Sequence, residues 1–181
     1  MVLRLVKPDK KYLPSVYKAV EEYKSDLSKF EIGAVKKMIG AIKNNFSDYF
    51  KDTKNNSLGI NLEPNFVPDT VFWLVDDEKY IGTFDLRHSL TPALEQSGGH
   101  IAYQIRPSER CKGYACKGLE LCLEKAHDIG LKRVLITCKE ENAASYAVMR
   151  KTMRKVGGEE IEPFAQNGVV NKRIRLYTQK L

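Results

Sequence analysis

The 181-residue sequence predicts an α/β (α+β) protein in which a mixed central sheet carries helices on both faces. Strands and helices alternate only in the second half of the chain, whereas the strands between residues 70 and 88 follow each other directly as a hairpin. Hairpin strands pair antiparallel and strand–helix–strand units favour parallel pairing, so one sheet is expected to contain both. The predicted order is β-α-α-β-β-β-α-β-α-β-β, in a single domain of residues 1–181.

The first half of the chain predicts one strand followed by two helical stretches. Residues 2–7 alternate apolar and polar side chains, as a half-buried strand does. After a Pro-Asp break, helical stretches are expected at residues 10–30 and 34–50. Residues 51–68 are rich in Asn, Ser, Gly and Pro, which indicates a loop.

The segment TVFWLVDDEKYIGTFDLRH, residues 70–88, predicts a β-hairpin. Two runs rich in β-branched and aromatic side chains flank the turn Asp76-Asp77-Glu78. A loop at residues 89–99 then leads into a third strand, HIAYQI, at residues 100–105.

The second half predicts two amphipathic helices separated by a buried strand, KRVLITC. The first helix ends at Gly130, and its apolar stripe has helical spacing: Ala115, Leu119, Cys122, Ala126 and Ile129. Asn142 opens the second helix, which stops at Gly157-Gly158 and has the stripe Tyr146, Met149, Met153 and Val156. The chain closes with a hairpin at Asn167-Gly168, a dipeptide suited to a two-residue turn.

Composition and charge argue against a nucleic-acid partner. The formal charge is +7, but the basic residues are spread along the chain. The sequence contains no helix-turn-helix, zinc finger or aromatic RNA-binding segment. A phosphate-rich small ligand would profit from the same positive field.

The sequence also predicts neither a membrane partner nor a metal site. The longest strongly apolar run, residues 71–75, is too short to cross a bilayer. Arg4 and Lys7 interrupt the apolar core that a signal peptide would need, so a cytoplasmic location is the default expectation. The four cysteines lack the paired spacing of a zinc site: Cys111, Cys116, Cys122 and Cys138.

The stretch RCKGYACKG, residues 110–118, has the composition of a phosphate-binding loop. Gly113 and Gly118 have the separation of a P-loop, but Leu119-Glu120 stand where Lys and Ser or Thr must be. A dinucleotide fingerprint would need a third glycine, which is missing. What remains is R-x-x-G-x-A between a strand and a helix. Its glycine lets the backbone approach a ligand closely, and the helix N-terminus offers N–H groups to an anion.

This pattern resembles the acetyl-CoA pyrophosphate loop, Q/R-x-x-G-x-G/A, of the GCN5-related N-acetyltransferase (GNAT) family. The preceding IAYQIRPSER and the following KRVLITCKEENAASYAVMRK are similar to the family's strand and to its strand–Asn-x-x-Ser–helix segment. The resemblance in sequence covers residues 71–181. The first seventy residues resemble the family only in the order of their predicted helices and strands. The combination LRHSL…GGHIAYQIRPSERCKGYA is similar to a subgroup of bacterial acetyltransferases without an assigned substrate. It implies the acyl-CoA N-acyltransferase (GNAT) fold, with the cofactor-binding core at about residues 71–158.

The resemblance implies acetyl-CoA as co-substrate and suggests which residues contact it. The pantetheine arm would pair with the strand backbone at Gln104, Ile105 and Arg106, in a slot where this strand and RVLITC splay apart. The pyrophosphate would be wrapped by Arg110, Cys111, Lys112, Gly113, Tyr114 and Ala115. Asn142 and Ser145 would face the cofactor from the next helix.

The family's chemistry is direct attack of a neutral amine on the thioester, with an acid that protonates the departing thiolate. The family's usual acid is a tyrosine seven residues after Asn142, where this chain has Met149. Tyr146 is therefore the candidate acid, with a simple core position as its alternative role. His88 and His100 are candidate bases or substrate contacts, and Asp85 also lies at the end of a central strand.

The sequence thus predicts an N-acetyltransferase that acts on a primary amine of a small molecule or peptide. Homodimers are frequent in the family, so a second copy of the chain is also an expected partner. Two alternatives stay open: a non-catalytic acyl-CoA-binding module that has lost its acid, and a nucleic-acid-binding domain that uses the +7 charge.

Overall fold

The computed structural model of the protein describes residues 2–26, 32–43 and 46–178. Within these residues the strands are β1 Leu3–Val6, β2 Asp69–Asp76, β3 Lys79–Arg87, β4 Ile101–Ile105, β5 Arg133–Lys139, β6 Gly158–Gln166 and β7 Val169–Tyr177. The α-helices are α1 Leu13–Ser25, α2 Gly33–Lys43, α3 Phe46–Ser57, α4 Pro92–Gln96, α5 Tyr114–Asp128 and α6 Ala143–Val156. Short 3-10 turns lie at Lys10–Tyr12 and Pro107–Glu109.

The predicted α+β class is confirmed, but the prediction of one mixed sheet is wrong: the described strands form two sheets in which every strand pair is antiparallel, because β4 and β5, which flank α5, do not pair as parallel strands. One has the strand order β1-β2-β3-β4 and the other β5-β7-β6. They meet where the His100 N–H donates to the Leu135 carbonyl at 2.7 Å. Beyond this contact β4 and β5 are not paired as strands, so a gap opens between the two sheets.

Strand β2 separates two apolar cores because successive side chains of a strand point to opposite faces. Trp73 and Val75 pack with α1, α2 and α3 on one face. Phe72 and Leu74 pack with α5, α6 and the second sheet on the other face. The helices therefore cover both faces of the four-stranded sheet, as predicted.

The helical prediction for residues 34–50 needs correction. Two helices, α2 and α3, replace the single stretch, and α3 continues to Ser57 into the segment predicted as a loop. Phe46 and Tyr49 are buried, and Tyr49 stacks on Trp73 with ring centroids 6.2 Å apart. This packing stabilises α3. The polar last turn extends the helix into solvent although its residues have low helix propensity.

Two further boundaries differ from the sequence prediction. The stretch 10–30 forms a 3-10 turn and then α1, and residues 27–30 lie outside the described residues. The loop 89–99 contains the short helix α4, whose N-cap Thr91 accepts a hydrogen bond from the Leu94 N–H. Thr91 followed by Pro92 is a helix-start signal, and it was available in the sequence.

Helix α5 lies very close to β3. A Cβ on Gly118 would come within 2.2 Å of the Phe84 ring, so the second glycine of RCKGYACKG serves helix packing. This close approach brings the N-terminus of α5 to the end of β4. Gly130, with φ +86°, ends the helix as predicted.

The two remaining turns are confirmed. Asn142 caps α6, its Oδ1 accepting from the Ser145 N–H at 3.0 Å, and the helix stops before Gly157. Asn167 and Gly168 have φ of 49° and 76°, the left-handed pair that a two-residue hairpin turn requires.

Candidate active site

The edge of β4 that faces the gap has backbone groups available for a ligand. The Arg106 N–H donates to the Ile81 carbonyl at 2.9 Å, and the Arg87 N–H donates to the His100 carbonyl at 2.8 Å. In an antiparallel ladder, alternate residues bond to the neighbouring strand. The even-numbered residues of β4 therefore bond to β3, and the odd-numbered residues point their backbone groups at the gap: Ile101, Tyr103 and Ile105, of which the Ile105 carbonyl already accepts from Arg110.

The loop after β4 has the backbone shape of an anion-binding site. Cys111 and Gly113 both have positive φ, 61° and 82°. Gly113 is the N-cap of α5, and a Cβ placed on it would have no atom within 4 Å. The Lys117 N–H donates to the Gly113 carbonyl, so the N–H groups before it lie in the first turn, which has no intrahelical acceptors. Such a turn attracts a negatively charged group.

The basic side chains of the loop have different roles. Arg110 donates from Nε to the Ile105 carbonyl at 3.2 Å and pairs through Nη2 with Asp26 at 2.5 Å. It thereby holds the loop to β4 and α1. Lys112 pairs with Glu109 at 3.1 Å, but its side chain is 51% exposed and can reach a phosphate at the loop.

Two predicted cofactor contacts have other partners. Arg106 is buried and forms an ion pair with Glu22 of α1, with Nε 3.1 Å from Oε1. The Gln104 Oε1 accepts from the Ile32 N–H at 3.0 Å and so holds the start of α2. Both residues also bond to β3 through their backbones, so their backbone groups do not face the gap, whereas those of Tyr103 and Ile105 do.

A pair of hydroxyl groups lies between β4 and α6. The Tyr103 Oη is 3.0 Å from the Ser145 Oγ and donates to the Ser145 carbonyl at 3.3 Å. The Ser145 hydroxyl also points at the Met149 sulfur, a weak acceptor, at 3.9 Å. Burial raises the pKa of Tyr103, so its phenol stays protonated. Ser145 thus contacts β4 through Tyr103, whereas the Asn142 side chain caps the helix.

The structure argues against Tyr146 as the acid. Its hydroxyl donates to the Glu160 carboxylate at 2.6 Å, on the side of α6 that faces β6. This hydrogen bond raises the pKa of Tyr146 and directs its proton to the Glu160 carboxylate. The acid role of Tyr146 stays a prediction; the apolar spacing of α6 did not reveal the Glu160 partner, which lies on a different element.

His100 is likewise unsuited to act as a base. The Leu135 N–H donates to its Nδ1 at 2.9 Å, so in the neutral ring the remaining proton is on Nε2 and neither nitrogen has a free lone pair. Burial lowers the pKa of His100 to about 4. Its role is to join the two sheets at the point where the gap begins.

His88 lies at the end of β3, with Nε2 2.8 Å from the Thr70 Oγ1. Burial lowers its pKa, while the charge of Asp69 opposes that shift. The ring is partly exposed and neutral near pH 7, which leaves it available as a substrate contact.

These features suit a long ligand with a negative group at one end. The open backbone edge of β4 can pair with an extended amide-containing arm, and the first turn of α5 with Lys112 can hold a phosphate. Among the residues that the structure describes, no three His, Cys, Asp or Glu side chains converge on a metal position. No helix in the described ranges is long and apolar enough to cross a membrane.

A family model described as an acetyltransferase (GNAT) domain matches residues 12–152. The chain belongs to this family. GNAT proteins are N-acetyltransferases, and the present protein is an enzyme of that class. A comparison with functionally curated proteins gives no significant sequence match.

Solved GNAT structures share the fold over nearly the whole chain. The microcin C7 self-immunity acetyltransferase MccE, in complex with acetyl-CoA and AMP, has a TM-score of 0.65 at 18% identity, covering 97% of this chain and 92% of that one. The ribosomal L7/L12 alpha-N-protein acetyltransferase RimL, in complex with coenzyme A, has a TM-score of 0.64 at 16% identity and covers 98% and 94%. A spermidine N-acetyltransferase SpeG mutant from Vibrio cholerae has a TM-score of 0.57 at 13% identity and covers 98% and 95%.

Proposed function

We propose that this GNAT protein is an acetyl-CoA-dependent N-acetyltransferase that transfers the acetyl group directly to a primary amine. The observation that carries the proposal is the juxtaposition of the open edge of β4 with the left-handed loop at Cys111 and Gly113. The acetyl-CoA and coenzyme A bound in the MccE and RimL structures support the same cofactor. Bound acetyl-CoA supplies the thioester whose acetyl group is transferred.

The chain's own residues provide binding, orientation and a proton. The backbone at Tyr103 and Ile105 would align the pantetheine arm in the gap, and the first turn of α5 with Lys112 would hold the pyrophosphate. Asn142 acts indirectly, because its cap fixes the first turn of α6 and therefore Ser145. The Tyr103–Ser145 hydroxyl pair replaces Tyr146 as the proton donor to the leaving sulfur.

Acetyl-CoA is expected to raise the melting temperature of the protein. At a concentration of 100 Kd a ligand that binds only the native state contributes about 2.7 kcal/mol, or roughly 5–10 °C for a chain of this size. Differential scanning fluorimetry with acetyl-CoA and with dephospho-coenzyme A checks this. A second assay then measures thiol release from acetyl-CoA, with polyamines, amino acids, aminoglycosides and N-terminal peptides as the acceptor amines. Binding without thiol release from any amine would favour the non-catalytic module, and no binding would contradict the proposal.

Replacing Tyr103 with phenylalanine is expected to lower turnover by about 100-fold, a general-acid contribution, with little change in acetyl-CoA affinity. Ser145→Ala should have a similar effect, and the double variant should be no worse, because the two hydroxyls act as a unit. Tyr146→Phe is the matched control and should stay within about threefold of the parent, since its hydroxyl contacts only the surface carboxylate of Glu160. Kinetics on all four variants decide the assignment, and a Tyr146→Phe loss larger than that of Tyr103→Phe would reverse it.

Cys111 is expected to be alkylated quickly by iodoacetamide in the free protein and slowly with saturating acetyl-CoA. Its thiol is exposed in the loop, whereas Cys122 is buried in α5 and should react slowly in both states. Peptide mapping after timed labelling measures both sites in one sample. Equal labelling of Cys111 in both states would place the cofactor elsewhere. Cys111→Ser should keep most of its activity, and an inactive variant that still binds acetyl-CoA would indicate a covalent intermediate instead.

A further inference from the structure

Arg173 of β7 is a half-buried cation that the proposed transfer does not use. The next residue, Ile174, packs in the core with α6, so Arg173 points to the opposite face of the second sheet. Its Nη1 donates to the Glu95 carbonyl of α4 at 3.4 Å, and its Nε is buried without a hydrogen-bond partner within the described part of the chain. A charged group that is partly withdrawn from water in this way is costly unless an anion pairs with it.

The neighbouring strands offer Arg173 no carboxylate. Arg175, two residues further along β7 on the same face, pairs with Glu159 at 2.7 Å, because the two are directly opposite in the β6–β7 register. The residue opposite Arg173 is Ile161 on β6 and Thr137 on β5. Among the described residues Arg173 therefore forms no ion pair, whereas the next arginine on its face does.

A second donor lies beside Arg173. Asn171 is on the same face, 7% exposed, and its Oδ1 accepts from the Ser97 hydroxyl at 3.4 Å. Because oxygen and nitrogen lie on opposite sides of an amide, the Asn171 N–H groups point away from Ser97. Residues two apart on a strand are about 7 Å from each other. An amide and a guanidinium at this spacing can both donate to one oxyanion.

This pair of donors lies near the gap in which acyl transfer would take place. Thr137, opposite Arg173, accepts from the Gly98 N–H at 2.8 Å, and Gly98 is two residues before the contact that joins the sheets at Leu135. The gap begins at that contact. The proposed function places the leaving sulfur near Tyr103, three residues further along β4. From the rise of a strand and the spacing of paired strands, Arg173 lies roughly 10–15 Å from the thioester.

We propose that Arg173 and Asn171 bind an oxyanion of the acceptor, a carboxylate or a phosphate group, while its amine reaches the thioester. The positioning of the amine rests on the proposed function, whereas anion binding does not. The acceptor is then a small amine with a negative group several bonds away. A polyamine fits poorly, because its second charge is positive. Arg173 touches no reacting atom and acts as a specificity residue, for which the planar fork of arginine is better suited than lysine.

Acceptors of equal length separate anion recognition from chain length. The probes are 6-aminohexanoate, 6-aminohexyl phosphate, 6-aminohexan-1-ol and 1,6-diaminohexane, each titrated calorimetrically with and without saturating coenzyme A, so that no turnover is needed. We expect at least one acidic probe to bind about tenfold or more tighter than the amino alcohol, the contribution of a hydrogen bond to a charged group. Comparison of the first two probes decides between carboxylate and phosphate.

Arg173→Gln is expected to remove this preference, so that the acidic probes bind no better than the amino alcohol, while the acetyl-CoA melting shift stays as in the parent. Arg173→Lys keeps the charge and should restore part of the preference. In thiol-release kinetics the loss should appear in KM for the acidic acceptor, with kcat within about threefold of the parent, because the residue is remote from the reacting atoms. A merely structural role would instead weaken all four probes alike.

Arg175→Gln is the matched control, since Arg175 lies on the same strand and face but already has Glu159 as its partner. This variant should keep the preference for the acidic probe. The inference is overturned if neither acidic probe binds better than the amino alcohol, or if Arg173→Gln keeps the preference as Arg175→Gln does. Absence of an acetyl-CoA melting shift in the parent would instead contradict the proposed function, and anion binding without coenzyme A would still be measured, so the two failures are distinguishable.

Discussion

Replacing Gly113 with valine is expected to abolish the melting shift produced by acetyl-CoA, while the protein stays folded. Gly113 has φ +82°, and the space above it is open in the described structure. A branched side chain there would occupy the position of the pyrophosphate and disfavour the left-handed backbone. We expect an affinity loss of at least about 100-fold, or roughly 2.7 kcal/mol of binding free energy.

Gly130→Val separates loss of the cofactor site from backbone strain. Gly130 lies at the other end of α5 with nearly the same φ, +86°, and also has no atom within 4 Å of an added Cβ. Both variants should lose about 1–2 kcal/mol of stability, because both force valine into the left-handed region. Only Gly113→Val should lose the acetyl-CoA shift, as measured by calorimetric titration and scanning fluorimetry. Intact binding in Gly113→Val would remove the loop assignment.

Features that depend on neighbouring residues could be predicted from the sequence. The left-handed turn at Gly113, the cap at Asn142 and the hairpin at Asn167 each follow from the conformational preference of one or two residues. The element order was accessible for the same reason, since hydrophobic periodicity is a local property. The errors at α3 and α4 also arose locally: a polar turn continued a packed helix, and a Thr-Pro start signal was not used.

Features that depend on contacts between distant residues could not be predicted. Arg106 lies 84 positions from Glu22, and Tyr103 lies 42 positions from Ser145. His100 was a reasonable base by residue type, but its Nδ1 accepts from a backbone N–H of β5. The chemistry of each side chain follows from its residue type, whereas its partner is determined by the fold.

Replacing Glu22 with glutamine is expected to destabilise the protein by about 3 kcal/mol at pH 7, near the lower end for breaking a buried ion pair. Arg106 is only 6% exposed and would lose its counter-ion. A loss of this size lowers the melting temperature by roughly 6–12 °C. Glu21→Gln is the matched control: Glu21 pairs with Lys24 at the surface with its side chain 70% exposed, and we expect a change below about 0.5 kcal/mol.

The pH dependence of stability gives the Glu22 prediction a second readout. Burial alone would raise the pKa of Glu22, but hydrogen bonds from Arg106 and Ser108 outweigh it and lower the pKa to about 2. A carboxyl group with a lowered pKa stabilises the fold above its unfolded pKa of about 4.3, and this stabilisation is lost as pH falls towards 2. Solvent contact reduces the effect to about 1–2 kcal/mol, since the Glu22 side chain is 26% exposed. Thermal unfolding at pH 7, 5, 4 and 3 should therefore show the parent approaching Glu22→Gln as the pH falls.

Glu22 should also influence the cofactor loop, because it accepts from the N–H and the hydroxyl of Ser108, both at 3.0 Å. These bonds fix the turn between β4 and the loop that begins at Arg110. Acetyl-CoA affinity of Glu22→Gln, measured well below its melting temperature, should fall about fivefold to tenfold, the equivalent of one hydrogen bond. Ser108→Ala removes the hydroxyl bond and keeps the ion pair, so it should show a smaller loss of affinity with little change in stability.

Equal melting temperatures for Glu22→Gln and Glu21→Gln would show that the buried pair contributes no net stability, and Arg106 would then have to be held by Ser15 and the Tyr80 carbonyl alone.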